Sequence, residues 1–199
     1  MKALVVSVVV LCTALSGAAQ AALPFAYDRD LGRVAHESLW RAVVDGPRIA
    51  RSEVRRVYVR CYRDRRSFEL AFERRFGLSA TRVIAYYAGG SEIYLRAGTC
   101  DNVRAFLAGR YTVYTAAGYS ILLHEALHRQ GVEDERITTC LANEAVRWGA
   151  TWFGATEEQA LRARNLALTF TRLYAPPSYR MGKPNCLLLN RRTDWTHYR

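Results

Sequence analysis

Residues 123–131 read Leu123-His124-Glu125-Ala126-Leu127-His128-Arg129-Gln130-Gly131. On a helix, positions i and i+4 share a face, so the imidazoles of His124 and His128 can grip one metal ion. Leu122, Leu123, Ala126 and Leu127 form an apolar back to the same helix, leaving the histidines on a more polar side that suits a cleft. Glu125 then stands beside the open coordination position. There it can take a proton from water polarised by the metal and later return one to a leaving group. Histidine nitrogens favour zinc, and a catalytic zinc needs a third protein ligand while keeping one position open.

Outward from this stretch, the pattern predicts mostly helix. A helix is expected from Tyr114 to Gln130, stopped by Gly131, and another from Asp134 to Phe153, stopped by Gly154. Thr156 is expected to cap a further helix, with Glu157 and Glu158 in its first turn, running to Pro176-Pro177. Before the motif, residues 28–45 read as an amphipathic helix with Leu31, Val34, Leu39, Ala42 and Val43 on one side. Val54 to Tyr62 alternates like a strand, and Ser67 to Phe76 spaces its apolar residues like a helix ended by Gly77. Val83–Tyr87 and Glu92–Leu95 flank Gly89-Gly90, the strongest hairpin signal in the chain. Asp101 reads as the N-cap of a short helix through Leu107. The last two dozen residues, rich in Pro and Arg, are expected to wrap the surface as an irregular tail.

The chain has 199 residues, half of them hydrophobic and 12% aromatic, enough apolar material to close one core and too much for a disordered chain. No period of 20–50 residues is visible, which sets aside a solenoid or propeller. Residues 1–21 read as a secretory signal peptide: Lys2, an apolar run from Ala3 to Leu15, then Ala19-Gln20-Ala21 at the cleavage point. Cys12 lies too deep in that run for a lipoprotein attachment site. The mature chain, 22–199, is therefore expected to be secreted or held in the cell envelope, with no membrane span after cleavage. Four cysteines then remain, Cys61, Cys100, Cys140 and Cys186. An even count in an exported chain favours disulfides over free thiols, and of three connectivities the pairing of sequence neighbours, Cys61–Cys100 and Cys140–Cys186, is preferred. The formal charge is +11, and every basic residue except Lys2 and Lys183 is Arg. No helix-turn-helix, zinc-finger or RNA-binding pattern accompanies that charge, so no specific nucleic-acid partner is expected.

The motif His124-Glu125-x-x-His128, with a hairpin before it and an acid opening the next helix, resembles the zincin metallopeptidases over residues 82–153. The nearest likeness is to small exported bacterial proteins of this type. The resemblance implies an α+β fold, mostly helical, with a small antiparallel sheet or hairpin preceding the active-site helix. It implies Zn2+ held by His124 and His128, with Glu125 as general base, and hydrolysis of a peptide or protein substrate. Substrate would dock by strand addition on an edge strand, here Glu92 to Ala97.

Three acids compete as third ligand. Asp134 lies six residues after His128, the spacing of metzincin-like enzymes, but those also have a methionine turn, and Met181 is far away. Glu144, in Asn143-Glu144, resembles the ligand helix of gluzincins, but Arg147-Trp148 departs from that pattern downstream. Glu135 opens the second helix, and the small residues Thr138, Thr139, Ala142 and Ala145 follow, which would let two helices approach closely. Glu135 ranks first, then Glu144, then Asp134.

Zincins commonly add a His or Tyr that stabilises the oxyanion, for which His197, Tyr179 and Tyr198 are candidates. His36-Glu37 lacks a second His at i+4 and reads as helix surface. Arg55, Arg56, Arg63, Arg65 and Arg66 read as a solvated basic face, with anionic cell-wall polymers or nucleic acid as the other possibility. The rival to a peptidase is a non-catalytic, basic exported binding protein on the same scaffold.

Overall fold

The computed structural model describes residues 24–43, 49–180 and 195–198. The expected signal peptide and Cys186 lie outside them. In chain order the elements are β1 (Phe25–Asp28), α1 (Arg29–Arg41), β2 (Tyr58–Tyr62), α2 (Arg65–Phe76), β3 (Ala85–Tyr87), β4 (Glu92–Leu95), α3 (Ala97–Leu107), α4 (Val113–Gln130), α5 (Glu135–Trp152) and α6 (Glu157–Tyr174). Short 3-10 turns cover Arg51–Glu53, Pro177–Tyr179 and Trp195–Tyr198. The fold class is α+β, as expected, but the sheet is larger and less regular than a hairpin.

Its strand order is β1-β2-β4-β3. The hairpin β3–β4 is antiparallel, with Tyr86 opposite Tyr94, and Gly89 and Gly90 take φ of 84° and 74° in the turn between them. The pair β1–β2 is also antiparallel, whereas β2 and β4 run parallel, with Val59 opposite Ile93. The sheet is thus mixed rather than antiparallel. Glu92 to Ala97 is not the edge: β4 lies inside, α3 already begins at Ala97, and β3 is the outer strand. The strand expected from Val54 starts only at Tyr58. At Arg55 both backbone groups are taken by the Gln130 side chain, whose amide receives and returns hydrogen bonds of 2.8 Å.

One face of the sheet, with Val59, Cys61, Ile93 and Leu95 buried, joins the main core. Tyr62, Phe68, Tyr86 and Tyr94 form a second, aromatic cluster. Helix α4 packs against α1, α3, α5, α6 and β3. Of its 18 residues, 13 are buried, so it is a central core helix rather than an amphipathic surface one.

Cys61 on β2 is bonded to Cys100 on α3, closing a separation of 39 residues. In the chain-entropy account, a loop of that size stabilises the fold by about 4 kcal/mol. The bond accompanies an early start to α3. The helix begins at Ala97, directly after β4, and Cys100 lies in its first turn. Asp101 is consequently not an N-cap but a surface residue paired with Arg104 at 2.9 Å. Cys140 is buried in α5. Of the expected surface tail, residues 181–194 lie outside the described residues, but Trp195 is 2% exposed, sits in the main core and donates to the Leu39 carbonyl at 2.9 Å. His36-Glu37 is not simply surface either, because Glu37 is buried against Arg51.

Helices α4 and α5 approach where Tyr119 lies against Gly149. A Cβ at Gly149 would come 2.1 Å from the Tyr119 hydroxyl, which is itself held by Ser38 Oγ at 2.5 Å. Gly149→Ala is therefore expected to destabilise the fold by about 1–3 kcal/mol, read from denaturant midpoints. Gly98→Ala, in α3 with nothing within 4 Å, should shift stability the other way by a few tenths to about 1 kcal/mol. Equal effects at the two positions would contradict the packing described.

Candidate metal centre

The C-terminal half of α4 and the first turn of α5 build the site. Gly131 ends α4 in the left-handed conformation, φ 100°, which reverses the chain immediately after the motif. The loop is short because Asp134 caps α5 by accepting from Arg136 N–H and Ile137 N–H, both at 2.9 Å. Glu135 is thus fixed as the first residue of α5 and turned back towards α4.

Three donor atoms meet there. His124 Nε2 and His128 Nε2 are 3.0 Å apart, and Glu135 Oε2 lies 3.0 Å from the first and 3.3 Å from the second. His124, His128 and Glu135 form a group that could hold a metal ion. The far nitrogens are anchored: His128 Nδ1–H donates to the Val132 carbonyl at 2.7 Å, and His124 Nδ1 lies 3.2 Å from Thr139 Oγ1. With the protons on Nδ1, both Nε2 atoms present lone pairs to the same point as the carboxylate, an arrangement suited to a cation.

Glu125 is buried beside this triangle, where its carboxylate accepts from the backbone N–H of Tyr87 on β3. Burial is the largest influence on it and, with the charge of Glu135, raises its pKa despite the nearby imidazoles. The hydrogen-bond phase of β3 explains the Tyr87 contact. Arg96 N–H donates to Ile84 O at 3.1 Å, so Ile84 and Tyr86 bond towards β4, while Ala85 and Tyr87 turn their backbone groups to the free edge.

Tyr179 completes the group. Its ring stacks on His124, with centroids 5.6 Å apart and 21° between planes. Burial, then the charges of Glu135 and Glu125, push its pKa up to about 12, and its hydroxyl donates to Glu135. Glu135 itself would be raised by burial, but hydrogen bonds and charge from both imidazoles hold it down at about 2. His128 experiences the converse: burial works against its charged form, yet Glu135 and Glu125 carry its pKa above the usual 6.5.

Of the three acids considered as third ligand, only Glu135 joins the histidines. Asp134 is occupied as a cap. Glu144 is 2% exposed and held bidentately by Arg164 on α6, through Nη2 and through Nε at 2.7 Å. Among the aromatic candidates, Tyr179 reaches the triangle, whereas His197 is exposed and Tyr198 packs on the main core. Sequence reasoning missed the Tyr87 N–H and the Val132 carbonyl, because backbone groups leave no residue-type signal. Thr139, four residues after Glu135 and hence on its face of α5, was open to the same i,i+4 argument as the histidines. Compared with known proteins, the chain matches no family model, no curated protein and no solved structure.

Metal binding at this centre requires neutral imidazole, and His128 binds its proton more tightly than free histidine, while Glu135 stays ionised. Affinity for Zn2+, measured by competition with a chromophoric chelator, is expected to fall on acidification, starting above pH 6.5 and reaching about tenfold or more per pH unit. In the metal-free protein, protonated His128 should add stability below about pH 6.5 that is lost as pH rises through its higher folded-state pKa. A metal affinity that stays flat from pH 7.5 to 5 would contradict this arrangement.

Proposed function

We propose that this chain is an exported zinc-dependent peptidase. The observation that carries the reading is the triangle His124–His128–Glu135 with a buried, raised-pKa Glu125 at its side. Tetrahedral zinc with bonds of about 2.0–2.1 Å spaces its ligand atoms about 3.3–3.4 Å apart, close to the 3.0–3.3 Å found here. Two His and one Glu leave the fourth position open. When bound, zinc would act as a Lewis acid, making water nucleophilic near neutral pH and polarising the scissile carbonyl.

The chain's own groups then have distinct tasks. Glu125 Oε takes the proton of the attacking water and passes it to the departing amine. A carboxylate moved up towards neutrality suits both transfers better than a fully exposed one. The Tyr87 N–H holds that carboxylate in place. The Tyr179 hydroxyl, still protonated with a pKa of about 12, can donate to negative charge growing on the carbonyl oxygen. Ala85 offers free-edge backbone groups to an extended peptide, in the manner of strand addition. A cavity of about 410 Å³ lined by Ile84, Ile121 and Phe170 and also by Arg65, Arg96 and Asn102 lies beside the same strand and helix, with room for a substrate side chain. The disulfide Cys61–Cys100 is compatible with an oxidising compartment, and no described helix is long and apolar enough to cross a membrane.

Elemental analysis and peptide-library digestion test this directly. Purified mature protein should carry about one zinc, lost in Glu135→Ala but kept in Asp134→Asn. Glu125→Gln should retain zinc while hydrolysis falls by about 10²-fold or more. Tyr179→Phe should retain zinc and lower kcat with little change in KM. A folded wild type without zinc after reconstitution sinks the proposal, as does undiminished hydrolysis by Glu125→Gln. Zinc without any hydrolysis would favour the binding-protein reading instead.

A further inference from the structure

A second cavity, of about 710 Å³, opens between α1 and the segment Ser52–Val59, and none of its lining residues belongs to the metal centre. Its size is that of a small-molecule site. The floor is built by a close approach. A Cβ on Gly32 of α1 would lie 2.7 Å from the Val57 carbonyl, and Val54, Val57 and Val59 are buried beneath. Around this floor stand Arg29, Arg33, Arg51, Arg55 and Arg56.

The carboxylates that line the cavity do not neutralise this rim. Asp28 spends one oxygen on capping α1 through Leu31 N–H at 2.9 Å and the other on Arg104, outside the cavity, at 2.7 Å. Glu37 is turned to Arg51, with Arg41 at 4.0 Å. Arg33 meets Asp30 at 3.2 Å, but both side chains are more than two-thirds exposed, so the pair is screened. Arg55 reaches only the Arg129 carbonyl, at 3.5 Å. Arg29 and Arg56 make no ion pair or hydrogen bond through their side chains among the described residues. Arg29, Arg33, Arg55 and Arg56 therefore line one concavity with little compensation from the described residues.

We infer that this cavity is a binding site for a small polyvalent phosphate anion, separate from the metal centre. Guanidinium forks match phosphate oxygens bidentately. A carboxylate offers one plane and answers one or two forks, whereas a chain of phosphates presents oxygens in several directions and the three or four negative charges this rim lacks. The floor does not add charge of its own. His36, whose ring nitrogen meets the Val54 carbonyl at 3.1 Å, is held below its usual pKa by burial and by Arg51 and Arg56, and it stays neutral at physiological pH.

Isothermal titration calorimetry with inorganic tripolyphosphate on the full mature chain tests the site. The expected result is a Kd below about 100 µM at 50 mM salt, rising about tenfold or more at 200 mM. Arg29→Ser/Arg56→Ser, which removes two exposed groups without side-chain partners among the described residues, should weaken binding at least about tenfold with an unchanged melting temperature. Glu135→Ala controls for chelation at the metal centre and should bind as wild type does. Citrate, a tricarboxylate, should bind at least about tenfold more weakly than tripolyphosphate. A nucleoside triphosphate that matches tripolyphosphate means the phosphate chain alone is read. One that binds tighter adds a ring contact, with the half-exposed Tyr27 and Tyr58 of the lining as stacking faces. The inference is overturned by no measurable binding, by citrate equalling tripolyphosphate, by an unaffected double variant, or by loss of binding in Glu135→Ala.

Discussion

The convergence of His124 Nε2, His128 Nε2 and Glu135 Oε2 is the constraint around which the rest of the chain is arranged. Three electron-rich atoms lie within 3.0–3.3 Å of one another. Left to themselves, two bare imidazole nitrogens and a carboxylate repel, so either a shared proton or a cation must sit among them. The surroundings would suit a cation. Val132 accepts the Nδ1 proton of His128 and Thr139 stands at Nδ1 of His124, which orients both lone pairs inward. An ordinary surface ion pair would need neither support.

Holding that triangle requires a sharp turn between two rigid elements. Gly131, at φ 100°, reverses the chain, the Val132 carbonyl takes both the His128 proton and the Thr138 hydroxyl, and the Asp134 cap starts α5 one residue before Glu135. The helices must also stay close along their length. Ser120 on α4 bonds Asn143 on α5 at 2.8 Å, Asn143 in turn reaches Thr171 on α6 at 3.1 Å, and Gly149 admits Tyr119. The buried Glu144–Arg164 pair belongs to the same scaffold. Removing one partner of such a pair leaves an uncompensated buried charge, typically worth about 3–5 kcal/mol.

The local features could be read from the sequence. Gly77, Gly131 and Thr156 end or begin helices as their residue types demand, and the Gly89-Gly90 turn has the positive φ its glycines allow. The motif histidines and the acid that meets them follow from helical spacing and a short loop. What could not be read depends on partners far away in the chain. Trp195 buries itself against Leu39, 156 residues earlier, so one residue of the expected surface tail lies in the core. Asp101 has a good capping side chain, but α3 starts upstream of it, directly after β4. Glu144 carries a ligand-like neighbour in Asn143, yet Arg164 claims it, and no local pattern announces that pairing.

Tyr179 joins these two kinds of information. It follows Pro176-Pro177, a pair that ends α6 by sequence alone, because proline cannot continue a helix. The turn that results carries the ring onto His124 and the hydroxyl to Glu135. The contact stacks a ring on one of the two imidazoles, while Glu125 meets the Tyr87 N–H at the free edge of β3. A ring placed by a helix terminator and a backbone N–H placed by strand phase thus meet the same stretch of α4, and neither is announced by the motif itself.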